Sequence, residues 1–223
     1  MLLKHQIVDF FLLLACVTFG KATKRLLLIS FDGFRYDYLQ RTYTPNFDKL
    51  IREGVKATWT RDVFVSQTFP NHYAIATGLY EESHGIVANR FFDPILNKTF
   101  DYHNPSDVSN AIFWGGEPIW VTAEMQGRRS GVFYWVGSEA PIKGIRPTEW
   151  RNYSIQVSWT SRVDAVVDWL ANKGPNPKNI TLALLYFPQP DHDGHIYGPK
   201  SPEVTKMIGK CDDITGKYAF CLV

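Results

Sequence analysis

The chain has 223 residues, 45% of them hydrophobic and 21% charged, with a formal net charge of +2. That balance belongs to a globular chain and excludes wholesale disorder. No Lys/Arg run exceeds two residues, so a footprint for bulk nucleic acid is missing as well. The length suits one α/β domain, and no internal repeat or low-complexity linker divides it.

The N-terminus reads as a targeting segment. Lys4 and His5 precede the apolar run Phe10–Val17, and Gly20 and Ala22 are small residues suited to cleavage. Asp9 interrupts the apolar side, leaving too little for a bilayer span of ~20 residues. The expected division is a signal peptide over 1–22 and a mature chain over 23–223, an anchor or a buried first strand being the alternatives. Cleavage removes Cys16 and leaves Cys211 and Cys221, too few cysteines for a disulfide scaffold. With a signal peptide, the Asn-x-Ser/Thr sequons at Asn97, Asn152 and Asn179 become expected glycosylation sites of a secreted or cell-surface protein.

Leu26–Phe31 is a continuous apolar run, the pattern of a buried parallel strand. Thr44-Pro45 starts a helix that places Phe47, Leu50 and Ile51 on one face and stops at Gly54. Val63–Val65 reads as a strand, followed by a helix opening at Pro70; that places Phe69, a poor capping residue, at the N-cap. A helix over 118–126 and a strand over 130–136 come next. Trp159, Val163, Val166, Val167 and Leu170 recur at helical spacing. Ile180–Phe187 is a second unbroken apolar strand, and Ser201-Pro202 begins a last helix with Val204, Met207, Ile208 and Cys211 inward. Strands alternating with helices predict a parallel, layered α/β sheet.

Ligands of such sheets bind past the C-terminal ends of the strands, and three strand ends carry reactive groups. Asp32-Gly33 reads as a turn pair or as a metal-binding carboxylate. Asp191 and His195 lie four apart in a segment with Pro188, Pro190, Gly194 and Gly198, expected to be a loop; carboxylate with imidazole suits zinc, and His192 and Asp193 are spare ligands. Thr68 is either a strand-end residue without a role or a nucleophile. As a nucleophile it needs a metal or a base to activate its hydroxyl, and a helix mouth beside it favours phosphate. Asn71 and His72 read equally as structural or catalytic.

In order along the chain, Leu27–Arg35, Gln67–Tyr73, Leu79–Asn89, Glu117–Trp120 and Pro190–His195 resemble the motifs of the ectonucleotide pyrophosphatase/phosphodiesterases. These enzymes are members of the alkaline phosphatase superfamily. The resemblance runs from about Arg25 to Thr215. It implies an alkaline phosphatase-like layered sheet flanked by helices and a two-zinc phosphodiesterase. By that resemblance Asp32 and Thr68 bind one zinc, Thr68 is also the nucleophile that is transiently nucleotidylated, and Asp191 and His195 bind the other zinc. Asn89 would hold a phosphate oxygen beside the Thr68 N–H, and Phe69 and Tyr153 would sandwich the base of a nucleotide such as ATP or a dinucleotide. No protein partner is implied.

The family's later zinc-binding motifs, Ser-Asp-His-Gly and a further His-Gly, do not occur in this sequence. The expectation is therefore a fold incomplete at its C-terminus, with two protein ligands left for each zinc. Two other functions stay open: a choline-phospholipid phosphodiesterase, and a secreted protein that captures nucleotides without hydrolysing them. Phe69 with Tyr153 favours nucleotides over lipids.

Overall fold

The computed structural model describes residues 24–221, with side chains through 217. The expected signal segment, Cys16 and the Cys221 side chain lie outside the described residues. Strand β1 (Leu26–Phe31) leads to helix α1 (Pro45–Glu53), helix α2 (Thr68–Thr77) and the short helix α3 (Glu81–His84). A hairpin of β2 (Arg90–Asp93) and β3 (Lys98–Asp101) precedes α4 (Pro105–Val108) and α5 (Ile119–Met125). Then come β4 (Arg129–Phe133), β5 (Glu149–Arg151), α6 (Trp159–Leu170), β6 (Ile180–Phe187), α7 (Asp191–Tyr197) and α8 (Pro202–Cys221).

The main sheet has the order β1-β6-β4-β5 and is parallel throughout. All eight residues of β6 are buried, which is why its sequence is apolar without alternation: helices or loops cover both faces. α6 packs on β6 through Val163, Val166 and Leu170, and α8 packs on α1, α6 and α7, its buried Val204 and Ile208 forming a second cluster with Tyr38. This is the layered α/β architecture that strand–helix alternation predicts. Among the described residues no helix is long and apolar enough to cross a membrane.

Five local expectations are corrected. No strand forms over 63–65, because Asn71 takes the backbone groups a ladder would need. Its Oδ1 accepts the Val63 N–H (3.0 Å), and its Nδ2 donates to the Val65 carbonyl (3.1 Å). The next helix opens at Thr68, not Pro70, with Gln67 as N-cap; proline is tolerated anywhere in the first turn, where N–H groups have no intrahelical partner. Residues 191–197 are helix, not loop. Finally, β4 stops at Phe133 because Tyr134 adopts a left-handed backbone (φ 68°), and Leu50 of α1 is 48% exposed, whereas Phe47 and Ile51 are half-buried. Met207 on α8 is likewise half-buried.

Glu124, at the end of α5, ties that helix to the starts of β4 and β5. Its Oε1 accepts from the Ser130 N–H (2.8 Å) and hydroxyl (2.7 Å) and from the Thr148 N–H (2.9 Å) and hydroxyl (2.8 Å). Burial alone would raise its pKa, but the hydrogen bonds from Ser130 and Thr148 outweigh it and hold the carboxyl below the usual glutamate range. Glu124→Ala strands two backbone donors and is expected to cost about 3 kcal/mol in denaturant unfolding. A group whose folded pKa is depressed stabilises above its unfolded pKa and loses that contribution as pH falls through the folded value. The stability gap between wild type and Glu124→Gln should therefore be full at neutral pH and close below about pH 4; a gap independent of pH would contradict the ionised clamp.

Candidate active site

β1 and β6 run in parallel register, Phe31 opposite Phe187, so their C-terminal ends deliver Asp32 and Asp191 to one sheet edge. Two further backbone bonds extend the pairing: Asp32 N–H to the Phe187 carbonyl (2.9 Å), and Asp191 N–H to the Asp32 carbonyl (2.9 Å). Gly33 completes the junction. Its φ is +66°, and a Cβ there would lie 2.7 Å from both Cα and Cβ of Asp191, inside any real carbon contact.

Thr68, first residue of α2, donates its hydroxyl to Asp32 Oδ2 at 3.0 Å. Tyr186 donates to the same oxygen at 2.7 Å. Burial, then the charge of Asp32, drives the Tyr186 phenol pKa well above its ordinary value, so this group stays a donor. Asp32 Oδ1 makes no hydrogen bond among the described residues. The Thr68 N–H is at the first helical position, where no carbonyl of the helix can reach it.

Asp191 and His195, the first and fifth residues of α7, share one face of that helix, with His195 Nε2 3.4 Å from Asp191 Oδ2. Burial first, and then the negative charge of Asp32, raise the Asp191 pKa. Two carboxylates thus share one edge, and the repulsion that Asp191 feels from Asp32 is what a cation relieves. Among the described residues no three His, Cys, Asp or Glu side chains converge on one point; the donors are two pairs, Asp32 with Thr68 and Asp191 with His195. Of the spare ligands, His192 is exposed, whereas Asp193 turns toward α8; there its charge adds to the burial that pushes the Cys211 thiol up to about 12.

Asn89 Oδ1 accepts the Phe69 N–H at 2.9 Å and so caps the mouth of α2 from a distant loop, while the Asn89 N–H is held by Gln67 Oε1 at 2.7 Å. Oδ1 being committed to Phe69, the Nδ2 end of the amide is the one left to donate to an anion. Phe69 is therefore not a cap at all. Its half-buried ring sits among Phe100, Tyr102 and Trp114, at centroid distances of 5.8, 5.5 and 6.2 Å. Tyr153 is 46% exposed and packs edge-on against Tyr134 at 5.1 Å. No ring contact joins Phe69 to Tyr153 among the described residues.

Asn71 is structural, and so is His72. A carbonyl only accepts, so His72 Nδ1 carries the proton that bonds the Thr68 carbonyl (2.8 Å), and in the neutral ring Nε2 accepts from the Ser30 hydroxyl (2.7 Å). That bridge fixes the first turn of α2 to β1. Sequence reasoning overlooked Gln67 and Tyr186. A phenol inside a fully buried strand needs a hydrogen-bond partner, and this was the available signal for Tyr186. Asn97, Asn152 and Asn179 are all exposed.

The family model of the type I phosphodiesterase / nucleotide pyrophosphatase matches residues 26–219. The mouse bis(5'-adenosyl)-triphosphatase enpp4 is 44% identical over 196 residues, covering 86% of this chain and 41% of its own length. Human ectonucleotide pyrophosphatase/phosphodiesterase family member 5 is 40% identical over 194 residues, with 86% and 40% covered. Among solved structures, murine ectonucleotide pyrophosphatase/phosphodiesterase 5, in an inactive threonine-to-alanine form with AMP, superposes with a TM-score of 0.83 at 38% identity, over 89% of this chain and 52% of that one. The chain thus spans about two fifths of these curated relatives and about half of the solved structure. Because the match runs from the first residue of β1 almost to the end of α8, it takes in every element that builds the sheet edge, and the chain belongs to the type I phosphodiesterase / nucleotide pyrophosphatase family.

Proposed function

We propose that this chain carries the nucleophile and nucleotide pocket of a zinc-dependent hydrolase acting on nucleotide pyrophosphate and phosphodiester bonds. The observation that carries the reading is the Thr68 hydroxyl, 3.0 Å from the Asp32 carboxylate at the mouth of α2. The relative with AMP is inactive as a threonine-to-alanine form, which supports a threonine in that role. A nucleotide is favoured as substrate because a related protein is named for bis(5'-adenosyl)-triphosphate and another holds AMP.

Thr68 Oγ attacks the phosphorus bonded to the nucleoside. An Oγ–P bond forms, the bond from phosphorus to the leaving oxygen breaks with its electron pair, and the Thr68 proton passes toward Asp32 or solvent. Water then attacks the same phosphorus and loses a proton, the Oγ–P bond breaks with its electron pair to Oγ, which takes up a proton, and a nucleoside 5'-monophosphate leaves. The Thr68 N–H and the Asn89 amide donate to the phosphate oxygens without adding negative charge. Asp32 with Thr68, and Asp191 with His195, fit two zinc ions as partial ligand sets, their crowded carboxylates being the part of the site that needs positive charge. Zinc bound there lowers the pKa of a coordinated hydroxyl and neutralises phosphate charge. We further read the protein as secreted or extracellular after removal of 1–22, with glycans on Asn97, Asn152 and Asn179.

Thr68→Ala, in this chain or a longer one containing it, should reduce hydrolysis of a p-nitrophenyl nucleoside 5'-monophosphate on the order of a thousandfold or more. Turnover close to wild type would remove Thr68 from the mechanism. Tyr153→Ala should cut the preference for that nucleotide over methyl p-nitrophenyl phosphate about tenfold, as loss of a stacked base does. Phe69→Ala tests the same wall less cleanly, because its ring also packs on Phe100 and Trp114. Each pair supplies two ligands where a catalytic zinc takes about three. Residues 23–223 by themselves are therefore expected to lose zinc on dialysis, and retention of two zinc ions per chain would show that the visible ligands suffice.

A further inference from the structure

Arg162 is a charged side chain with only 2% of its surface exposed, on the inner face of α6. Its Nε donates to the Val157 carbonyl at 3.1 Å, which fixes the guanidinium plane from behind. In front, the guanidinium carbon lies 4.9 Å from the centroid of the Tyr134 ring and 5.7 Å from that of Phe187. Tyr134 is 5% exposed and leaves β4 through its left-handed backbone, which swings its ring out of the ladder direction. The same ring meets Tyr153 edge-on at 5.1 Å and 61°. Tyr153 is held independently at its backbone, where its N–H donates to Glu139 Oε1 at 3.0 Å.

The chain of contacts is thus Arg162, Tyr134, Tyr153, and only the last member is open to solvent. Burial pushes the Tyr134 and Tyr153 phenols up, and the Arg162 charge pulls each back down, so both rings lie within reach of that cation. A buried guanidinium over an aromatic face is held by the ring quadrupole and by stacking of planes. An aromatic ring in contact with both a buried cation and a neighbouring ring loses rotational freedom, and a stacking platform that is already still binds at a smaller entropic cost.

We propose that Arg162 is a positioning residue for the base-binding wall: it clamps Tyr134, and Tyr134 in turn fixes the orientation in which Tyr153 meets a nucleobase. The proposal rests on the nucleotide reading above for its ligand, though not for its geometry. Lysine at 162 keeps the charge and discards the planar fork, so it is an informative change rather than a neutral one. Tyr134→Leu is the second variant. It keeps Arg162 and its bond to Val157 while removing the ring that transmits the contact.

Residues 23–223 are labelled with 3-fluorotyrosine and the Tyr153 resonance is assigned through Tyr153→Phe. Fluorine spectra and AMP titrations in zinc-containing buffer then compare wild type, Arg162→Lys and Tyr134→Leu, with inorganic phosphate as a second titrant. The expected result is a shifted or broadened Tyr153 signal in both variants and AMP affinity lowered about tenfold, with phosphate affinity unchanged. Folded variants whose Tyr153 signal and AMP affinity match wild type would overturn the proposal, leaving Arg162 a packing residue only. If Arg162→Lys does not fold, Tyr134→Leu decides by the same two readouts. Wild-type chain that ignores AMP overturns the nucleotide reading and the ligand half of this proposal, and the Tyr153 signal in the variants then decides the clamp alone.

Discussion

Strand β6 is buried along its whole length, and its parallel pairing with β1 on one side and β4 on the other sets where every reactive group lies. A buried strand must satisfy its peptide groups within the sheet, and a one-residue slip would carry each side chain to the opposite face. Register is therefore fixed by packing: Ser30 meets Tyr186 and Phe31 meets Phe187. From that alignment Asp32 and Asp191 reach the same edge, Tyr186 reaches Asp32, and Ser30 reaches His72 of α2. The helix that presents Thr68 is thus anchored to the same two strands that present the carboxylates.

Elements whose signals are local were legible in the sequence. The uninterrupted apolar runs of β1 and β6 and the spacing of Val163, Val166 and Leu170 in α6 mark them directly, because burial on the sheet dictates the pattern. Where structure is decided by distant partners, the sequence misleads. Val63–Val65 has strand composition, yet Asn71, eight residues beyond Val63, takes its N–H. The segment from Pro188 to Gly198 is rich in helix breakers, yet seven residues of it form α7, with Asp191 in the first turn, where a carboxylate suits the helix dipole. The β2–β3 hairpin went unread because its four-residue strands are too short to set a period.

At the site, residue types pointed to chemistry while their wiring stayed hidden. Thr68, Asp32, Asp191 and His195 are recognisable because few other side chains attack phosphorus or bind metal. Gln67 and Asn89 form a bridge of single hydrogen bonds across 22 positions, and nothing in either neighbourhood announces it. Phe69 shows how a sound local rule can pose the wrong question. It looks like a bad N-cap, and in the structure it follows the cap by two positions, with a distant amide serving its N–H.

The turn at Gly33 gives the sheet edge a property that none of its reactive residues possesses. Because a methyl group at position 33 would overlap the backbone of Asp191, the ends of β1 and β6 approach as closely as peptide chains can, and the carbonyl of Asp32 is already bonded across the gap. The two aspartates are therefore carried by strand ends that are bonded directly to each other, not by separate loops. The His195 imidazole, 79% exposed, marks the solvent side of this edge. A glycine with no side chain to offer thus sets how closely two acid-bearing strand ends can approach.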